Sequence, residues 1–81
     1  MGRVSGKMDG DQRLQQLGQS IRAHRKALGM TQEALADAAQ IDRAHMGKIE
    51  RGERNVTILN VLRIATAMQI KPSEILAAAG L

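Results

Sequence analysis

The chain has 81 residues, with 12 Lys and Arg against 8 Asp and Glu and a formal charge of +4. This length predicts one small domain, and a hydrophobic content of 43% is that of a globular chain. Cys is absent, which excludes disulfides, thiolate metal sites and Cys nucleophiles, and the absence of Phe, Tyr and Trp removes Tyr-based catalysis and the aromatic platforms used to stack single-stranded nucleic acid. The core must therefore be built from Leu, Ile, Val, Met and Ala. A domain of this size buries only about 60% of its unfolded surface, which favours compact helices and a partner subunit as added support.

Residues 1–10 hold three of the eight glycines together with Ser and charged residues, and are read as a disordered N-terminal arm ahead of a domain over 11–81. They contain no apolar signal segment. The longest apolar run, Ile75 to Leu81, is far short of the roughly 18–20 residues that span a bilayer. The expectation is a soluble cytoplasmic chain without a membrane partner.

Helical signals follow in order. Asp11 is placed to cap a first helix whose apolar stripe is Leu14, Leu17, Ile21 and Leu28, with Lys26 in its last turn, Gly29 as a left-handed stop and Met30 covering it. Thr31 caps a second helix running to Ala39, with Glu33 in its first turn; Ala34 stands where a capping box needs Glu or Gln. Asp42 caps a third helix, from about Arg43 to Arg51, which Gly52 stops. Thr57 caps a fourth carrying Ile58, Val61, Ile64, Ala65 and Met68, and Pro72 opens a short fifth with Glu74 near its positive end and Ile75 and Leu76 for packing. No alternating β-branched run occurs, so the fold class is all-α, with five short helices.

The second and third helices, joined by Gln40 to Asp42, form a helix-turn-helix candidate over about residues 31–51. Such a unit lays its second helix in the DNA major groove. At about 100° per residue, Arg43, Ala44, Gly47, Lys48 and Arg51 share one arc of roughly 140°, while Met46 and Ile49 fall opposite. Arg and Lys can donate to guanine O6 and N7 or to phosphate. Gly47 lowers helix propensity by about 1 kcal/mol relative to Ala, and close backbone approach to a ligand is one reason to accept that. A solvated charged face is the plainer reading of the same pattern.

From Leu17 to Leu76 the chain resembles the Cro/C1-type (XRE-like, lambda-repressor-like) helix-turn-helix family. The residues that carry the resemblance are Thr31-Gln32-Glu33 with Leu35-Ala36, then Ile41-Asp42, Ile49-Glu50-Arg51-Gly52, Thr57-Ile58, Ile64-Ala65 and Ala67-Met68. The stretch from Arg51 to Asn55 also resembles the controller proteins of restriction–modification systems. The resemblance implies base contacts from Arg43, Ala44 and Lys48. It implies backbone contacts from Gln32 at a helix N-terminus and from Arg54 and Asn55, and a bridge between Arg25 and Glu50 that makes Glu50 scaffolding rather than a catalytic acid. Gly47 and Arg51 join the backbone set from their place on the outer face. His45 is either a groove or phosphate contact or a partly buried packing residue.

Three residues depart from the family pattern: Gln40 where Gly is usual, His45 where an aromatic residue is common, and Ala44, whose methyl suits a thymine methyl. Arg13, Arg22, Arg25 and Lys26 lie in a window without an acid and form either a phosphate-attracting field or a solvated face. Met30, Met46 and Met68 read as core fillers. His24 and His45 are too isolated to suggest a metal site, Ser5, Ser20 and Ser73 lack a neighbouring base, and no Walker-type loop occurs. Neither catalysis nor a cofactor is expected.

The surplus apolar residues Leu59, Leu62, Ile70, Pro72, Ile75 and Leu76 point to a dimer interface. The resulting expectation is a sequence-specific binder of double-stranded DNA that regulates transcription. Its homodimer would place two recognition helices about 34 Å apart on a two-fold symmetric operator, in the manner of an autoregulatory restriction–modification controller. The alternative is an antitoxin-type interaction module that binds a toxin, with DNA binding secondary. A further partner such as RNA polymerase is left open, as are the operator, the regulated genes, any effector, and activation versus repression.

Overall fold

The structure is a computed structural model that describes Gly10 and residues 12–81. The arm expected over residues 1–10, apart from Gly10, and the cap expected at Asp11 lie outside the described residues. Five helices follow one another: α1 (Arg13–Ala27), α2 (Gln32–Ala39), α3 (Arg43–Glu50), α4 (Ile58–Met68) and α5 (Pro72–Ala78). No strand occurs among the described residues.

The helix starts are made by short polar side chains. Thr31 Oγ1 accepts from Ala34 N at 3.0 Å, Asp42 Oδ2 from His45 N at 3.2 Å, and Thr57 Oγ1 from Asn60 N at 3.1 Å. Each satisfies one of the N–H groups that a helix leaves orphaned at its start. In α5 the Glu74 carboxylate reaches back to Lys71 N at 3.2 Å. The stops use left-handed residues, and behind four of them an apolar residue folds back: Met30 N donates to Arg25 O, Ile41 N to Ala36 O, Ile70 N to Ala65 O, and Leu81 N to Leu76 O. That is the paired-carbonyl stop in which a hydrophobic side chain seals the helix end.

Helix α1 packs on α3 and α5, and α2 on α3 and α4. Ile21, Leu35, Met46, Ile49, Ile64 and Ile75 are the largest fully buried side chains where these helices meet. Ser20 joins α1 to α5 by donating to Ile75 O at 2.8 Å, which satisfies a buried hydroxyl. The α1–α3 crossing depends on Gly18, where a Cβ would lie 2.4 Å from Ile49 O and 2.5 Å from Glu50 O. Only a residue without a side chain lets the backbone of α3 come that close.

Helix α1 starts behind Gln12, which is left-handed at φ 57° and makes no side-chain cap bond. One expectation fails at its other end. Leu28 is 52% exposed rather than part of the buried stripe. The helix ends at Ala27, so Leu28 falls past the last turn, and Met30, half-buried against the core, takes the covering role. Helix α3 stops one residue earlier than expected, with Arg51 as its C-cap.

Candidate nucleic-acid interface

The α2–α3 turn keeps its geometry without glycine. Gln40 adopts φ 58° and ψ 41°, the left-handed conformation for which Gly is the easy choice, and Ile41 is buried beside it. The strain is accepted because Ile41 anchors the corner from inside the core.

Helix α3 is divided into two faces. Met46, Ile49 and Glu50 are buried, whereas Arg43 and Ala44 are exposed and His45 and Lys48 half-buried. The inner face is held by a polar network rather than by apolar contact alone. Arg25 donates to Glu50 twice, Nε to Oε2 at 2.8 Å and Nη2 to Oε1 at 3.0 Å, and its Nη1 donates to Met30 O at 3.0 Å. Gln32 Nε2 donates to the same Glu50 Oε1 at 3.1 Å. Glu50 therefore ties α1, α2 and α3 at one point, and a bidentate guanidinium–carboxylate pair has little freedom to tilt. No described buried side-chain N or O lacks a partner.

This network changes the place of two residues. Gly47 is buried and does not belong to the exposed arc: a Cβ there would sit 3.3 Å from Gln32 Oε1 and 3.1 Å from Arg51 Nη1. Its missing side chain makes room for Gln32 to reach Glu50, so the expected backbone contact from Gly47 is withdrawn. Gln32 is half-buried with its amide nitrogen committed to Glu50. What α2 offers a phosphate is its outward-pointing first-turn backbone N–H groups.

The exposed side is basic with acids interleaved. Arg43 Nη1 lies 3.5 Å from Glu33 Oε2, and Arg51 Nε donates to Glu53. Arg54 and Asn55 are exposed in the loop that follows. Arg22 enters the region as well: with Arg25, Gln32, Glu50 and Arg51 it lines a notch of about 260 Å³. Sequence reasoning gave Arg22 only a diffuse electrostatic role. Its signal was the i, i+3 spacing to Arg25, which sets both guanidiniums on one side of α1.

The residues expected at a dimer interface divide. Leu59 and Leu62 are 54% and 42% exposed, while Ile70, Pro72 and Leu76 are half-buried. Ile75 is 0% exposed and belongs to the monomer core, so it is withdrawn from the interface set. The strongest apolar exposure among the described residues was missed: Ile58, at 68%. Spacing did not show it, because Ile58 stands three and seven residues before Val61 and Ala65 and so borders the apolar stripe, while Leu59 and Leu62 lie farther round the helix. Leu59 and Leu62 also line a groove of about 340 Å³ with Ala38, Ala39, Gln40, Arg63 and Thr66.

Among the described residues no group of three or more His, Asp or Glu side chains could hold a metal ion, and no helix is long and apolar enough to cross a membrane. A buried helix-turn-helix corner, a rigidly mounted second helix and a basic exposed face define a DNA-reading module.

The comparisons agree. The family profile described as Helix-turn-helix matches residues 21–75, and the chain belongs to that family. Within it the similarity is to control proteins. Control protein C.SmaI of Serratia marcescens is 32% identical over 65 residues, covering 80% of this chain and 77% of that protein. Control protein C.BamHI of Bacillus amyloliquefaciens is 37% identical over 60 residues, covering 73% and 74%. The crystal structure of the restriction-modification controller protein C.AhdI from Aeromonas hydrophila aligns with a TM-score of 0.76 and 45% identity, over 76% of this chain and 94% of that one. The chain is accordingly a DNA-binding regulator of transcription.

Proposed function

We propose that the protein is a control-type regulator of a restriction–modification gene pair, acting in the cytoplasm on an operator next to its own gene and catalysing no reaction. The observation that carries this is the mounting of α3. Arg25, Gln32 and Glu50 lock its inner face, leaving Arg43, Ala44 and Lys48 on the side free to meet base edges. Arg51, Arg54 and Asn55 flank them as phosphate contacts, with His45 half-buried beside Lys48. Phosphate contacts set register and base contacts set sequence, so this division suits a specific binder. The exposed Ile58, Leu59 and Leu62 on α4 form the face on which a second copy docks, matching the symmetry of a two-fold operator.

The test is binding to the duplex upstream of its own gene against a random duplex at two salt concentrations, read by a dye on the DNA. Preference for the upstream duplex that persists at about 150–200 mM salt is the expected result. Equal, salt-fragile binding to both would leave only a generic basic surface and favour the antitoxin-type alternative.

A further inference from the structure

The basic surface contains an acid placed against its own interest. Between Lys48 and Asn55 the acids are Glu50, which is buried, and Glu53, which is exposed. The Glu53 carboxylate accepts from Arg51 Nε, and the two side chains are 50% and 60% exposed. The hydrogen bond from Arg51, joined by the charges of Arg51, Lys48 and Arg54, holds the Glu53 carboxyl below its usual range. An anion is thus already seated among three cations of the DNA-facing side.

The same Arg51 lines the notch shared by Arg22, Arg25, Gln32 and Glu50. Arg25 and Gln32 are committed to Glu50 there. The cations that remain for an external anion are Arg22 and Arg51. A carboxylate oxygen and a phosphodiester oxygen make the same kind of charge-assisted bond to a guanidinium, so only one of them can hold a given face of Arg51.

We propose that Glu53 is an intramolecular competitor for DNA: in the free protein its carboxylate occupies the Arg51 guanidinium that a backbone phosphodiester takes in the complex, where Arg22 forms the other side of the phosphate site. This rests on the DNA-binding function proposed above. The pair is exposed and therefore weak, so exchange is fast, and its effect is to lower the adhesion of the free protein to any duplex.

The experiment measures affinity of the full chain, Glu53→Gln, Arg51→Ala and the double variant for the upstream and random duplexes from 50 to 200 mM salt. Glu53→Gln is expected to bind both duplexes several-fold more tightly at 50 mM, with the slope of log K against log salt steeper by about 0.9. That gain then shrinks by about threefold across the range. In the Arg51→Ala background the same substitution is expected to give no gain. An unchanged affinity and slope in Glu53→Gln, or a gain that persists without Arg51, overturns the competition. If the wild-type chain itself binds neither duplex, the DNA-binding function fails; if wild type binds and Glu53→Gln matches it, only the competition fails.

Discussion

Gln40 and Glu50 illustrate two ways in which one residue governs the interface. Gln40 sits at φ 58°, where an L side chain crowds the backbone and Gly does not. Gln40→Gly is expected to stabilise the domain by about 0.5–1 kcal/mol, raising Tm by a few degrees, with operator preference unchanged. A thermal melt followed at the helical CD band checks this, and a lower Tm would show that the glutamine side chain does more than tolerate its turn. Glu50 is the reverse case. Glu50→Ala leaves Arg25 buried without its carboxylate and Gln32 without its acceptor, at a cost of about 3–5 kcal/mol. Urea unfolding would read that loss, and a change under about 1 kcal/mol would contradict the mounting of α3.

The proposed division between base and phosphate contacts runs from helix α3 into the loop that follows it. Arg43 sits at the start of α3 on the exposed side, 3.5 Å from the Glu33 carboxylate of α2, so the guanidinium must leave an exposed, weak pair to reach a base. Arg43→Ala is expected to weaken cognate binding by about 1–3 kcal/mol and relax preference at one base position. Arg54→Ala is expected to weaken all sequences alike and reduce the salt slope by about one unit. A duplex panel carrying single substitutions measures both, and equal losses on cognate and random DNA from both variants would erase the assignment. The caps that frame α2, α3 and α4 were legible in the sequence, because Thr31, Asp42 and Thr57 bond to N–H groups three residues away. Gly47 was not: its spacing placed it on the outer arc, and only the arrival of Gln32 from α2 shows that its bareness serves the interior.

On the scale of the molecule, two apolar sets on α4 and α5 have opposite fates. Ile75 closes the core, and Ile75→Ala is expected to destabilise the monomer by about 2–5 kcal/mol. Leu59 is exposed, and Leu59→Glu is expected to leave monomer stability within about 0.5 kcal/mol while producing a monomeric mass in light scattering at tens of micromolar. It should also reduce operator affinity, since each monomer then binds alone. A dimeric mass for Leu59→Glu would place the interface elsewhere.

The all-helical class, the helix-turn-helix unit, the two faces of α3 and the Arg25–Glu50 partnership were all available from residue spacing or from the resemblance those residues carry. These features are local, repeating at the helical period or set by caps within three residues, and the chain states them one element at a time. The remainder belongs to distances between elements. Leu28 was expelled from the core because the chain turned one residue too early. Ile75 was claimed by the core because α1 and α5 pack against each other, with Ser20 bonded to the Ile75 carbonyl. Gly47 faces inward because Gln32 needs its space, and Arg22 joins a notch with Arg51 only when α1, α2 and α3 converge. Periodicity says which side of a helix is apolar; only packing says how much of that side the rest of the molecule covers.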